Sequence, residues 1–267
     1  MKIEIIDAHT HVQFEQYDDD RDEVIKRSLN KGIGMINAGA DLESSKKSID
    51  LAYRYLGLWA TVGIHPTEVK DFDKFDEIEK LASDEKVVGI GECGLDFYRE
   101  EDRNNLEIQK ELFLKHLELS RKVKKPLVIH CRQAFKETLE ILKAHKNLLL
   151  ENAGIFHFFT GGKEEAEKAL EFGFSFTFNG LITYNRQFDE IIKFIPLEKI
   201  LLETDAPFVS PLNHRKERNE PSFVDEVLIA LSEIKKLDLE KTKNILLKNT
   251  IDLFQLTISS NSSGFVV

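Results

Sequence analysis

Cysteine is nearly absent. Only Cys93 and Cys131 occur in 267 residues, so a disulfide framework is excluded and a reducing cytosol is the expected setting. No apolar run approaches the ~20 residues needed to cross a bilayer. The opening MKIEIIDAHTH has neither the apolar core nor the small-residue cleavage site of a secretory signal. A cytoplasmic location without a membrane partner is expected, and nothing in the sequence points to an obligate protein partner. No stretch rich in Pro, Gly or Ser interrupts the chain, and no internal repeat occurs. A single domain over residues 1–256 is therefore expected. The ending ISSNSSGFVV, small and polar and then apolar, reads as a flexible tail over 257–267. Positive charge is also scarce. With 37 Lys and Arg against 47 Asp and Glu, the net charge is −10 and the pI about 5.4. That excludes a whole-surface nucleic-acid binder. A local basic rim, or cations held in a cleft, remains open as a way to meet phosphate.

What the chain does have is alternation. Short β-rich runs recur between longer helical patterns: KIEIIDAH, IGMINAG, LWATVGIH, KVVGIGECG, PLVIHC, AGIFHFF, GFSFTFNG and KILLETDAP. The longest helical pattern runs from Leu106 to Lys122. Two amphipathic stretches close the chain, about Phe223 to Lys236 and Leu239 to Leu256. Strands that recur with helices between them predict βαβ units and a parallel sheet. Eight such strands in a chain near the roughly 250 residues of a typical (β/α)8 TIM barrel favour closure over an open sheet.

The position of the histidines and acids carries the chemistry. His9 and His11 follow the first strand, His65 ends the third, Glu92 the fourth, His130 the fifth, His157 the sixth and Asp205 the eighth. In a parallel barrel all those ends open on one face, where barrel enzymes place their sites. The i, i+2 spacing of His9 and His11 points both imidazoles to one side of an extended strand. A lone histidine at a strand end is usually a satisfied polar residue, but the repetition of His or a carboxylate at five further strand ends argues for a metal site. Imidazole with carboxylate and no thiolate suits Zn, Mn, Fe, Co or Ni, and carboxylate with water suits Mg. Cys93 and Cys131 adjoin proposed ligands, so their side chains should face the packing as small buried hydrophobes. Six ligands exceed one open tetrahedral site. They suit two divalent cations (Mg2+, Mn2+ or Zn2+) sharing a carboxylate, with Glu92 the natural bridge. Asp205, on the last strand, closes beside the first, where it can ligate and also orient or deprotonate water.

The ordered segments DAHTHV, VGIHP, GECGLDFYR, IHCR, FHFFTGG, ETDAPF and RNEPS resemble the motifs of the TatD-type metal-dependent deoxyribonucleases of the amidohydrolase superfamily. The resemblance covers about Ile3 to Leu256. It implies a barrel with a two-metal centre and 3′→5′ exonuclease or general DNase activity, with DNA, single-stranded or at 3′ ends, as substrate. It implies one metal on His9, His11, Glu92 and Asp205, a second on Glu92, His130 and His157, and Asp205 as base. His65 would then face phosphate or support a ligand. Glu92 stands where many members of the wider superfamily carry a modified lysine, which favours the TatD branch. Cys93, Gln133 and Phe159 depart from the usual pattern. None removes a ligand, and Gln133 and Phe159 bear on the rim and so on substrate preference.

A phosphodiester needs partners beyond the metals. Arg99, Arg132, Lys163, Arg215 and Arg218 follow strand ends and should lie on the site face, Arg132 foremost because it is two residues past His130. Gly161 and Gly162 ahead of a helix could offer N–H groups to an anion. Asp96 and Tyr98 could shape the pocket or orient a ligand histidine. Phe97 and Tyr98 could stack on bases. The same site could instead cleave an ester, lactone or amide, D-aminoacyl-tRNA deacylation included, and the acidic pI favours a small substrate. A barrel with purely structural metals is the third reading.

Overall fold

A computed structural model describes residues 2–258. Eight strands form one sheet in chain order: β1 (Ile5–Thr10), β2 (Ile33–Ala38), β3 (Leu58–Val62), β4 (Val87–Asp96), β5 (Leu127–Arg132), β6 (Gly154–Phe156), β7 (Phe174–Phe178) and β8 (Ile200–Leu202). Each pairs in parallel with the next. The intervening helices are α1 (Arg21–Asn30), α2 (Leu42–Arg54), α3 (Phe75–Leu81), α4 (Glu100–Asn104), α5 (Leu106–Val123), α6 (Phe135–Ala144), α7 (Lys163–Glu171) and α8 (Asp189–Phe194). α9 (Val224–Lys235) and α10 (Leu239–Phe254) follow β8. This is the expected (β/α)8 barrel. The tail expected from residue 257 lies, from 259 onward, outside the described residues.

The ring closes without a regular ladder between β8 and β1. The Asp205 N–H donates to the His9 carbonyl (3.0 Å), and the His11 N–H to the Ala206 carbonyl (2.8 Å). Below them the Thr204 N–H donates to Asp7 Oδ1 (2.9 Å). The seam therefore joins two segments proposed to bind metal.

Alternation along the strands sorts the rest. Val128, Ile155 and Leu201 stand two or four residues before His130, His157 and Asp205, and with Met35 they belong to one packed cluster. Leu253 and Phe254 of α10 pack into the same cluster. The opposite parity faces the helices, where Phe113, Phe156, Phe174 and Phe176 are fully buried. Each such ring removed from water is worth roughly 2–3 kcal/mol.

Two strands end sooner than their apolar runs predict. Phe158 (φ 45°) and Asp205 (φ 56°) adopt left-handed backbone, which breaks extension just beyond β6 and β8. On β4, Gly91 (φ 143°) and Gly94 (φ 134°) are required. A Cβ there would lie 2.4 Å from the Val128 carbonyl oxygen and 2.0 Å from that of His130. Bare backbone lets β4 press against β5 and brings Glu92 to His130.

His116 of α5 is buried and fully partnered. Its Nδ1 donates to the Leu112 carbonyl (2.7 Å), and its Nε2 accepts from the Ile64 N–H (3.0 Å), one residue before His65. Burial pushes its pKa down to about 4. The fold thus favours the neutral ring, and the unfolded chain binds more protons between about pH 4 and 6.5. The stability His116 contributes is complete above the unfolded value and is lost as pH falls toward 4. Equilibrium denaturation from pH 7 to 4 should show the parent losing about 3 kcal/mol more than His116→Gln, which cannot titrate. Parallel stability curves would refute this assignment.

Candidate metal centre

The six residues expected to bind metal converge at the carboxyl ends of the strands, and His65 joins them. Glu92 lies at the middle of the cluster, 4% exposed, and its two oxygens face different partners. Oε2 is 3.5 Å from His9 Nε2 and 3.6 Å from His11 Nε2. Oε1 is 2.8 Å from His157 Nε2, 3.0 Å from His130 Nδ1 and 3.3 Å from His65 Nε2. Asp205 Oδ1 completes the first side, 3.7 Å from His9 Nε2 and 3.5 Å from His11 Nε2, which are themselves 3.1 Å apart.

These spacings suit a cation. Four ligands at metal bonds of about 2.0–2.2 Å in a tetrahedron stand about 3.3–3.6 Å from one another. The measured separations on the Glu92 Oε2 side run from 3.1 to 3.7 Å. On the Oε1 side, His130 Nδ1 and His157 Nε2 are 3.2 Å apart. Candidate groups formed by ligand-atom proximity are His9, His11 and Glu92; His9, His157 and Asp205; and His65, Glu92 and His130.

Hydrogen bonds behind the rings set which nitrogen faces inward. His11 Nδ1 donates to the Ala38 carbonyl (2.8 Å), leaving Nε2 bare toward the site. His130 reverses the pattern: its Nε2 is 2.8 Å from Asp96 Oδ2, so Nδ1 faces Glu92. Asp96 thus sits where it orients a site histidine. His65 differs. Its Nδ1 accepts from the Thr67 N–H (3.2 Å), which places the ring proton on Nε2, facing inward as a donor. The rings of His9 and His157 stack at 3.9 Å, and Phe14 stacks on His11 at 4.5 Å.

Electrostatics divide the acids. Burial alone would raise Glu92, but His157, His65 and His130 outweigh it and hold the carboxyl well below its ordinary range. Burial likewise opposes ionisation of Asp205, and His11, His157 and His9 overcome it, so its pKa is lowered. His9 is pushed down to about 3 by burial and by His157. His130 is lifted to about 9, because Asp96 and Glu92 outweigh its burial.

Two further acids at the seam escaped the sequence reading. Glu203 is fully buried. It accepts from the Phe158 N–H (2.9 Å) and Asn179 Nδ2 (3.2 Å), and it also contacts the Thr177 hydroxyl. Burial and then the charge of Asp205 drive it well above the carboxylate range. Asp7, also fully buried, is raised by burial to about 7. Asp7 stands two residues before His9 and Glu203 two before Asp205. The same parity that aligned the histidines would have found both.

The rim residues separate into engaged and free. Arg99 is exposed and lies 3.5 Å from Glu101. Arg132 lies over the Tyr98 ring at 3.6 Å and Arg215 over Tyr184 at 4.2 Å. Lys163 sits over Phe194 and 3.8 Å from Glu167. Arg218 is not a free rim cation: it makes a bidentate pair with Asp20 (2.9 and 2.7 Å) and covers Tyr17. Gly162 does not leave its N–H for an anion either, since that group donates to Glu165 Oε2 (3.0 Å). Phe97 is partly buried against the core, whereas Tyr98 is 53% exposed. Cys93 and Cys131 are buried, as expected.

Imidazoles and carboxylates gathered at the carboxyl mouth of a parallel barrel define a metal-dependent hydrolase. Residues 6–255 match the model of the TatD related DNase family, and the chain belongs to that family. It is 34% identical to an uncharacterized metal-dependent hydrolase, YabD of Bacillus subtilis, over 94% of this chain and 99% of that protein. It is 32% identical to the 3′-5′ ssDNA/RNA exonuclease TatD of Citrobacter koseri, over 84% of this chain and 88% of that one. The crystal structure of YjjV, a TatD homologue from Escherichia coli K12, superposes with a TM-score of 0.88 at 28% identity, covering 96% of this chain and all of that one.

Asn219 of the RNEPS segment holds the Asp205 turn. Its buried amide donates to the carbonyls of Thr204 (2.9 Å) and Phe208, which flank Asp205, and its own carbonyl accepts from the Tyr17 hydroxyl. Asn219→Ala strips two buried carbonyls of their donors. It should cost about 2–4 kcal/mol by urea denaturation and weaken divalent-cation binding in a calorimetric titration. Unchanged stability and cation affinity would show that the turn holds itself.

Proposed function

We propose that this hydrolase cleaves phosphodiester bonds of DNA, as a 3′→5′ exonuclease on single strands or 3′ ends, with two divalent cations for which Glu92 would be the shared ligand. The reading rests above all on the split of the Glu92 carboxylate, one oxygen toward His9 and His11 and the other toward His130 and His157. In it, His9, His11, Glu92 and Asp205 hold one cation, and Glu92, His130 and His157 the other. When bound, such a pair supplies charge stabilisation for the attacking and leaving oxygens of an in-line displacement.

The chain's own residues do the rest. Asp205, whose pKa is lowered, is ionised and accepts the proton of the attacking water. Glu203, which burial and the charge of Asp205 push well above the carboxylate range, is disfavoured as a second anion at the seam. Asp96 fixes the His130 ring through Nε2. His65 presents an N–H at Nε2 to a phosphate oxygen, in keeping with the tautomer set by Thr67. Arg132 and Arg215 supply the outer phosphate contacts from the rim, and Arg99 joins them only by leaving Glu101.

Digestion of 3′-blocked and 5′-blocked oligonucleotides with Mg2+, Mn2+ or Zn2+ tests the reading. DNA should be degraded, a 3′ block should stop it, and chelation should abolish it. Asp205→Asn should lower kcat by about 10²–10⁴. Metal analysis should find about two cations per parent chain and at most about one in Glu92→Ala. Activity that survives chelation, or that is intact in His130→Ala, refutes the site. Turnover of esters or lactones without DNA cleavage would move the same site to the acyl-hydrolase reading, D-aminoacyl-tRNA deacylation included.

A further inference from the structure

Charge is divided unequally around the mouth of the barrel. The loop after β1 (residues 11–20) carries Glu15, Asp18, Asp19 and Asp20; Asp18 pairs with Arg21 and Asp20 with Arg218, while among the described residues Glu15 and Asp19 have no cation within 4.0 Å. The loops after β6 and β7 (157–162 and 179–188) carry no carboxylate at all. The loops after β1 to β4 carry an excess of carboxylates; those after β5 to β7 carry only Arg186 among charged residues, and the segment after β8 (203–223) is mixed, with Glu203, Asp205, Glu217 and Glu220 beside Arg215, Lys216 and Arg218.

Two like-built pairs bracket the half that follows β5 to β8. At one edge Arg132, the last residue of β5, lies flat on Tyr98 from the segment after β4. At the other, Arg215 from the segment after β8 lies on Tyr184 from the loop after β7. Both guanidiniums are exposed, and among the described residues neither has a carboxylate within 4.0 Å or a hydrogen bond to the protein. Their neighbours on this face are engaged: Arg99 with Glu101, Arg186 with Asp189, Arg218 with Asp20. An arginine held by ring stacking is fixed in place yet keeps its fork of N–H donors for an anion. In a protein of net charge −10, two such free guanidiniums at one mouth call for an anionic partner.

The strands that lead into the two pairs are three spacings apart around the ring, an arc of about 14 Å at ~4.8 Å per strand. His157, after β6, lies between them. That distance exceeds one diester and spans about four nucleotides at a stacked rise of about 3.4 Å. We propose that a single strand several nucleotides long lies across the β5–β8 half of the mouth. Arg132 on Tyr98 and Arg215 on Tyr184 stand at its two ends: one grips the phosphates on the 5′ side of the metal centre, the other meets the 3′-terminal nucleotide, and the acidic loop after β1 repels the strand from the other half. This rests on the nuclease reading and adds to it a direction of approach and a minimum length.

Chain-length dependence tests it. With the metal-loaded enzyme, kcat/KM should rise about tenfold or more from a two-nucleotide to a six-nucleotide single strand and then level off. In at least one of Arg132→Ala and Arg215→Ala, the one on the 5′ side, the six-to-two ratio should fall about tenfold, and its salt dependence should flatten. A variant that merely folds or loads metal poorly loses activity on both lengths and leaves the ratio alone. Equal kcat/KM for both lengths in the parent, or an unchanged ratio in both variants, overturns the track while leaving the nuclease reading intact. If no strand of any length is cut while bis(p-nitrophenyl) phosphate or an ester is, the nuclease reading and the track fall together.

Discussion

A negative charge buried at the centre of a barrel is unstable unless something answers it, and the geometry of this protein is organised around that fact. Glu92 is almost fully buried. An isolated carboxylate there would take up a proton. Instead five imidazoles from β1, β3, β5 and β6 surround it, and their combined effect holds it ionised against its own desolvation. The glycines on either side of Glu92 in β4 make room for this approach. A barrel that gathers strand ends is one of few ways to bring five such rings to one carboxyl group from across 149 positions of sequence, His9 to His157.

The second constraint is the seam. Three carboxyl groups, Asp7, Glu203 and Asp205, stand at the join of β8 and β1, and three charges could not coexist there. The environment separates them. Asp205 meets His11 and His9 and is favoured as the anion. Glu203 and Asp7 are capped by Thr177, Asn179 and Thr204 and are pushed up by burial. Titratable neighbours driven apart in this way are how one site favours the anion of one carboxyl group over those of its neighbours. The left-handed backbone at Asp205 turns its carboxyl toward the histidines, and Asn219 and Tyr17 brace that turn from a segment otherwise remote from the centre.

Much of this was legible in the sequence because the signals were periodic. Apolar runs recurring between helical patterns gave the eight strands, and the placement of His9, His11, Glu92, His130, His157 and Asp205 at their ends put them on one face. What was not legible depended on partners far away in the chain. Arg218 reads as a rim cation until Asp20, 198 positions earlier, is seen to hold it. Gly162 reads as an anion cradle until its own helix claims the N–H through Glu165. The tautomer of His65 depends on Thr67, which no pattern of histidines announces. Asp7 and Glu203 are a different matter. Their i−2 spacing from ligands is visible in the sequence, but burial, not position, gives them their character.

The acidic composition, which argued against a nucleic-acid partner when averaged over the chain, argues differently once charge is placed on the fold. A net charge of −10 spread evenly would repel a polyanion from every side. The loops after β1 to β4 carry an excess of carboxylates, which repels it from that side and so sets where a strand can lie. The cations needed to hold it are then few. Two arginines laid on tyrosines, free of carboxylate partners, do more for phosphate than a larger number of lysines neutralised by neighbouring glutamates, as Lys46, Lys110 and Lys193 are here. Binding of this kind depends on the placement of uncompensated charge at the mouth, so the overall pI is a poor guide to it.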